Sequence, residues 1–353
     1  MNLNYQSLLK KLQQTSSTWL VTGAAGFIGS NLLETLLCNK QYVVGLDNYS
    51  SGKPQNLEEV RKAVGDRAWE RFTFIQGDIT NIDTCQTAVN GVDYVLHQAA
   101  IGSVPRSIAQ PTIYHQCNVD GFVNVIHAAY TAGVRRFVYA SSSSVYGDAP
   151  ELPKVEEKIG RPLSPYALSK SFNEQYAHMM ATVYGFQTIG LRYFNVFGQR
   201  QDPNGAYAAV IPKWIASLLR GEACTIHGDG ETSRDFCYIA NVVQANLRAA
   251  LTEKQDAPNQ VYNIAVGEQT TLNQLYFWLR SELSTLDPTT ASIAAIEPLY
   301  TEFRKGDIRH SLADITKARC LLDYQPTHTV QQGLTEAIRW YTQNTVYPSI
   351  QYA

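Results

Sequence analysis

Tyr166 and Lys170, four residues apart in SPYALSKSFNEQYA, have the types and spacing for proton chemistry. On a helix, positions i and i+4 share a face, so a phenol and an ammonium can share one site. A free tyrosine, with a pKa of about 10, is a poor base at neutral pH. A neighbouring cation stabilises the phenolate and lowers that pKa, giving a proton acceptor suited to an alcohol. Pro162 and Pro165 mark the loop before the helix, with Ser164 as a candidate cap. Upstream, ASSSSVYG (Ala140–Gly147) sets four hydroxyls at the end of a strand-like run, with no acid among them. Taken alone, Y-x-x-x-K also occurs as a structural pair on surface helices, so its neighbours decide its meaning.

Those neighbours begin with TWLVTGAAGFIGSNLLETLL, which reads as a strand, a glycine turn and the start of a helix. Gly23 suits the tight turn, Gly26 admits a pyrophosphate to the backbone, and Gly29 lets the helix pack close to the strand. The helix N-terminus offers unpaired N–H groups to phosphate. Asp47 ends the next strand-like run, where a carboxylate accepts hydrogen bonds from an adenosine ribose. Such a carboxylate repels a 2′-phosphate, and no arginine follows at once to neutralise it. NAD is therefore expected over NADP. The alternative is an aspartate that only caps the turn before Asn48.

The elements that must position these residues are legible as short apolar runs separated by helix-length segments. They are Thr18–Thr22, Tyr42–Leu46, Phe72–Gln76, Val92–Leu96, Phe137–Ser141 and Thr188–Phe194. Runs of this kind suit strands buried on both faces of a parallel sheet, and the alternation predicts a Rossmann-like, doubly wound α/β fold. After about Asn195 the rhythm breaks, so we expect a smaller C-terminal α/β substrate domain. The expected division is 1–16 as an N-terminal extension and 17–195 as the NAD-binding domain. Residues 241–266, with VYNIA (Val261–Ala265), are expected to return to that domain, while 196–240 and 267–353 are expected to form the substrate domain. In the extension, Leu8, Leu9 and Leu12 are placed to form one face of a short helix on the body.

The chain has 353 residues and a net charge of −2, so no broad basic face is expected and nucleic acid is not an expected partner. Six scattered cysteines without a C-x-x-C pair fit reduced thiols and a cytoplasmic setting, and the seven histidines lack metal-ligand spacing, so no metal is expected. No run of 18 apolar residues exists and the first 18 residues lack a signal-peptide core, so no membrane partner is expected.

Taken together, the glycine motif, Asp47, Asp78-Ile79, HQAA (His97–Ala100), Asn118, the serine strand, Y-x-x-x-K and RYFNVFG (Arg192–Gly198) resemble, in order, the extended short-chain dehydrogenase/reductase family. The resemblance implies a tightly bound NAD that also meets Phe27, Ile28, Asn48, Ser50, Ser51 and Gly52. It places Asp78 and Ile79 beside the adenine. Ala99, Ala100 and Asn118 line the path to the nicotinamide, Gln98, Tyr193 and Val196 also meet the cofactor, and Lys170 holds the nicotinamide ribose. Asp78 and Asn118 also read as helix caps. Fold alone does not choose the reaction. Similar dehydratases and decarboxylases carry an acid on the serine strand, where Ser143 and Ser144 stand here. The resemblance therefore implies 4-epimerisation of a UDP-sugar, with Ser142 as catalytic hydroxyl, Tyr166 as base and Lys170 beside it.

In that family context Arg234 and Arg304 are expected at the diphosphate, Asn195 on the same side, and Asp307 at the nucleoside ribose. Arginine suits phosphate through its planar fork, although each arginine also reads as an ordinary ion-pair member. Ser103 in GSVPRS and Ser143 are expected to face the sugar. Ser311, seven residues after Arg304, is small, which implies room for an N-acetyl group. UDP-N-acetylglucosamine is thus the expected substrate, and a UDP-glucuronate or UDP-N-acetylhexosaminuronate 4-epimerase is the alternative. A non-catalytic nucleotide-binding regulator is disfavoured because Tyr166 and Lys170 are both present. A homodimer through helices near Pro111–Tyr130 and Tyr166–Tyr184 is implied by the resemblance, and surface polysaccharide synthesis is the expected setting.

Overall fold

A computed structural model describes residues 3–204, 208–303 and 308–344. Strand β1 (Thr18–Thr22) carries alternating buried side chains, Trp19 and Val21 toward one face of the sheet and Leu20 toward the other. The same two-sided burial recurs in β2 (Tyr42–Asp47), β4 (Tyr94–His97), β5 (Arg136–Ser142) and β6 (Thr188–Tyr193). With β3 (Phe72–Gln76) and the strand Gln260–Ile264 they form one parallel seven-stranded sheet. Its order is β3-β2-β1-β4-β5-β6, with Gln260–Ile264 at the end beside β6. A strand apolar on both faces needs helices on both, which is the doubly wound arrangement.

The strand order reverses between β1 and β4, where Thr22 is in register with His97. A crevice opens beyond the carboxyl ends of strands at such a switch point, and that is where ligands sit in open α/β sheets. The sheet thus fixes the site's place before any side chain is considered.

One face of the sheet packs into a core that continues through the C-terminal elements, joining Trp19, Leu36 and Val138 to Trp214, Leu275, Tyr324 and Leu334. The other face forms a separate cluster around Leu20, Val95, Phe122, Phe137 and Met180. Three short two-stranded pairs, among them Val196–Phe197 with Cys237–Tyr238 and Ser233–Arg234 with Thr270–Thr271, stand outside the main sheet. Among the described residues no helix is long and apolar enough to cross a membrane.

The N-terminal residues form a helix, Leu3–Gln14, with Leu12 buried and Leu8 and Leu9 half-buried against the core. A buried amide fastens its end to the sheet. Gln41 Nε2 donates to the carbonyls of Leu12 and Asn39, each at 2.8 Å, while its Oε1 accepts from Trp19 Nε1 at 3.1 Å and Ser17 N at 3.0 Å. Replacing Gln41 by Leu keeps the volume and removes every one of these bonds. We expect a loss of about 1–3 kcal/mol for each buried group left unpaired, read as a lower urea midpoint.

Candidate active site

The glycine turn is built as its spacing requires. Gly23 has φ +70°, and its N–H donates to the Leu46 carbonyl at 2.8 Å, tying the turn to β2. The helix Phe27–Cys38 starts immediately after Gly26. A Cβ on Gly29 would lie 2.0 Å from the Gly23 carbonyl oxygen, so only glycine allows this approach. Asp47 closes the arrangement from the end of β2. Its Oδ2 accepts from Ala25 N at 3.0 Å and its Oδ1 from Tyr49 N at 2.8 Å. Burial raises its pKa above the usual carboxylate value, against the lowering effect of those N–H donors.

A cleft of about 300 Å³ runs along this turn. Among the residues expected at the cofactor, Gly23, Gly26, Phe27, Ile28, Gly29, Asp47, Asn48, Ser50, Ser51, Ile79, Gln98, Ala99 and Ala100 line it. Gly52 sits behind, against the Asp47 carboxylate, and Asp78 accepts from Asn48 Nδ2 at 2.7 Å and from Thr80 N at 2.8 Å. Burial raises the pKa of Asp78, but these bonds outweigh it and the net shift is downward. Leu46, Gly77, Gly102 and Cys117 also line the cleft; three contribute no polar side chain and Cys117 lies in a π-helical turn, so no sequence pattern singled them out. The donor set fits a dinucleotide. A carboxylate has about four acceptor positions and Asp47 uses one on each oxygen internally, which leaves capacity for ribose hydroxyls. Asp47 therefore caps the turn and can also take a ribose.

Beyond the cleft, Asn118 holds the Ile101 backbone from both sides, accepting from Ile101 N at 2.8 Å and donating to Ile101 O at 3.1 Å. Tyr193, Gln98 and Asn246 form a closed ring of bonds: Tyr193 Oη donates to Gln98 Oε1 at 3.0 Å, Gln98 Nε2 to Asn246 Oδ1 at 3.1 Å, and Asn246 Nδ2 to Tyr193 Oη at 2.9 Å. Asn246 was not singled out by the sequence, because nothing in the helix Ile239–Leu251 marks one asparagine as a partner of two distant strand ends. Val196 lies in the short strand paired with Cys237–Tyr238.

The reactive residues meet where β5 ends beside the helix Pro165–Tyr184. Ser164 caps that helix, accepting from Ala167 N at 3.1 Å, and so fixes Tyr166 in its first turn. The Tyr166 phenol lies near the Ser142 hydroxyl, whose Oγ accepts from Ser144 N at 3.1 Å. Lys170 is buried and donates from Nζ to the Ala140 carbonyl at 2.9 Å. Burial lowers the Lys170 pKa to about 8, so the side chain stays cationic at neutral pH. The phenol does not follow the expectation drawn from Y-x-x-x-K. Burial raises the Tyr166 pKa, the Ser142 hydroxyl only partly opposes this, and Lys170 directs its charge to the strand. Same-face spacing brings the two residues together but does not aim the ammonium at the phenol.

Beneath this trio lies a buried ion pair. Arg192 donates from Nε and Nη2 to the two oxygens of Glu174, each at 2.8 Å, and from Nη1 to the Glu156 carbonyl at 2.9 Å. Ser141 donates to Glu174 Oε1 at 2.5 Å. Strand alternation explains the division of labour: Ser141 serves the ion pair, while Ser142, the last residue of β5, lies near Tyr166. Ser143 begins a 3₁₀ turn with Ser144, whose Oγ is buried without a partner among the described residues.

The expected sugar-side residues are more dispersed. Ser103, at φ +86°, caps the helix Val104–Ala109 by accepting from Arg106 N at 3.3 Å. Asn195 donates to the Asp235 carbonyl at 3.3 Å, and Arg234 donates to the carbonyls of Ser233 and Arg309. Ser311 donates its N–H to the Ser233 carbonyl at 3.1 Å, which brings it beside the Ser233–Arg234 strand. Arg304 and Asp307 lie outside the described residues.

Replacing Glu174 by Ala would leave the Arg192 guanidinium buried and unpaired. We expect a loss of about 3–5 kcal/mol in denaturant unfolding, the magnitude for breaking one side of a buried pair. A loss below about 1 kcal/mol would show that the pair does not hold the helix to β5 and β6.

Residues 19–265 match the model of the NAD dependent epimerase/dehydratase family. The UDP-glucose 4-epimerase of Mycolicibacterium smegmatis is 35% identical over 324 residues, covering 91% of this chain and 97% of that protein. The structure of UDP-N-acetylglucosamine 4-epimerase from Methanobrevibacter ruminantium, in complex with UDP-N-acetylmuramic acid, is 36% identical with a TM-score of 0.84, covering 94% of this chain and all of that one. UDP-glucuronic acid 4-epimerase from Bacillus cereus, in complex with UDP-glucuronic acid and NAD, is 30% identical with a TM-score of 0.79, covering 92% and 99%. With the family model spanning residues 19–265 and a 35% identical relative covering 91% of the chain, this chain belongs to the NAD dependent epimerase/dehydratase family.

Proposed function

We propose that the chain is an NAD-dependent UDP-sugar 4-epimerase whose substrates are UDP-N-acetylglucosamine and UDP-N-acetylgalactosamine. The observation that carries this reading is the Tyr166 phenol near the Ser142 hydroxyl, one helical turn from the buried Lys170, with hydroxyls and no carboxylate at Ser143 and Ser144. When bound, NAD supplies a hydride acceptor and a positive charge next to the phenol. Ser142 orients the sugar O4, Tyr166 takes the 4-OH proton and later returns it, and Lys170 keeps a positive charge close to the developing phenolate. With one proton-moving side chain, the 4-keto sugar can be reduced again but has no partner for loss of water. Asn195 and Arg234 are assigned to the diphosphate, and Ser103, Ser143 and Ser311 to the sugar.

The N-acetyl preference rests on the small Ser311 and on the likeness to the Methanobrevibacter ruminantium enzyme. The likeness to the Bacillus cereus enzyme supports UDP-glucuronate as a second reading. Ile113, Leu168, Phe172, Val183 and Tyr184, apolar and exposed on two helical segments, support a homodimer through those helices.

Purified protein incubated with UDP-glucose, UDP-N-acetylglucosamine, UDP-glucuronate and UDP-N-acetylglucosaminuronate in competition, without added cofactor, should turn over the second fastest. Tyr166→Phe should lower kcat by a factor of about 10²–10⁴ while leaving bound NAD unchanged. Full activity in that variant would remove Tyr166 as the base. Ser311→Tyr should lower kcat/KM for the N-acetylated substrate at least about tenfold more than for UDP-glucose. An equal loss on both would end the argument from pocket size.

A further inference from the structure

A second cleft lies away from the cofactor turn. A cleft of about 840 Å³ opens at the amino ends of the strands, beside Tyr94 of β4, Arg136 of β5 and Gln187 before β6. The N-terminal helix and the end of the helix Ile239–Leu251 close its sides. Its wall carries five cationic side chains, Lys11, Arg135, Arg136, Arg248 and Lys254, against the two carboxylates Glu253 and Asp323.

Three of the cations are accounted for by exposed ion pairs: Lys11 with Glu253 at 2.5 Å, Lys254 with Asp323 at 2.7 Å, and Arg135 with Asp93 at 3.2 Å. Among the described residues no carboxylate is bonded to the other two guanidinium groups, although the charge of Asp323 reaches Arg248. Arg136 donates from Nη1 to the carbonyls of Ala249 and Thr252 and from Nη2 to Gln187 Oε1 at 2.8 Å. Those carbonyls belong to a helix end, whose partial negative charge offsets some of its own. Its Nε has no partner among the described residues.

Arg248 has less. It is 5% exposed, its guanidinium lies 5.9 Å from the Tyr5 ring, and Nε and Nη2 are buried without a hydrogen bond among the described residues. Nε and Nη2 form the edge by which an arginine grips two oxygens at once, as Arg192 does with Glu174 in this same molecule. A buried charge whose bidentate edge faces no acceptor is costly unless something outside the chain completes it.

We propose that this cleft is a second ligand site, for phosphate or a phosphate monoester. Its oxygens bond the Nε/Nη2 edge of Arg248 and Nε of Arg136, within the field of Lys11 and Lys254. Leu8, Leu12 and Leu251 supply an apolar wall for the ester's organic part. Both guanidinium edges sit deep, so binding includes a small turn of the Arg248 side chain toward the opening. The site is separate from the proposed reaction centre and does not depend on which sugar is the substrate.

The test uses the full chain saturated with NAD and UDP, so that the nucleotide cleft does not compete. Orthophosphate and ribose 5-phosphate are titrated in turn by calorimetry. One further site is expected, with Kd on the order of 1 mM or tighter. Arg248→Met should weaken binding at least tenfold with epimerase activity kept. It should also raise the unfolding temperature in phosphate-free buffer, because an unpaired buried charge is gone. Lys254→Ala, at the rim, should weaken binding several-fold and decides the matter if Arg248→Met does not fold. Equal affinities assign the site to the free ion, and tighter ribose 5-phosphate binding assigns it to an ester; both support the proposal. No heat from either probe, meaning that water alone completes Arg248, would overturn it, as would binding that neither substitution weakens.

Discussion

Arg192 and Glu174 set the geometry on which the reactive residues depend. Arg192 belongs to β6, Glu174 to the helix bearing Tyr166 and Lys170, and Ser141 to β5, so one buried pair joins the three elements. A pair of this kind adds little net stability, since desolvation cancels most of the attraction. What it does impose is register. Glu174 lies one turn after Lys170 and two after Tyr166, and a bidentate grip at that point limits how far the helix can slide or roll against the strand. Lys170 Nζ on the Ala140 carbonyl then makes a second tether on the same helix face. Ser142 and Tyr166 come together next along that row, where β5 ends.

A comparable economy appears at the cofactor turn. Asp47 holds Ala25 and Tyr49 by their backbone N–H groups, and Gly52 packs against its carboxylate. The carboxylate that would meet a ribose therefore also shapes the loops on both sides of the crevice. Loss of Asp47 removes recognition and disturbs the wall that recognition uses. The reversal of strand order at β1 and β4 places this turn next to Ala99 and Ala100, so the two halves of the cleft share one edge of the sheet.

Much of this was legible in the sequence, for a physical reason. Strands buried on both faces leave uninterrupted apolar runs, and each of the runs read as strands lies in the sheet, with ends shifted by a residue or two. Glycines at Gly23, Gly26 and Gly29 announce backbone approaches that no other residue permits. The partnerships were not legible. Glu174 looks like any helix carboxylate until β6 brings Arg192 to it, and Asn246 like any helix asparagine until Tyr193 and Gln98 converge on it. The upward shift of the Tyr166 pKa was not legible from spacing either, because burial depends on what covers the phenol and spacing does not contain that information.

The four serines show how far composition can stand for chemistry. Their lack of an acid does not mean that no carboxylate is near, since Glu174 bonds Ser141 directly. Both oxygens of Glu174, however, are taken by the Arg192 guanidinium, and Ser141 adds a third donor, so this acid is engaged within the fold. Ser144 marks the other limit. Its hydroxyl is buried with no donor or acceptor opposite it among the described residues. A hydroxyl there occupies a small, enclosed position at the start of the 3₁₀ turn, and a longer acidic side chain would need a different course to reach the cleft. Under the proposed function, Tyr166 is then the one side chain on this face assigned to move a proton.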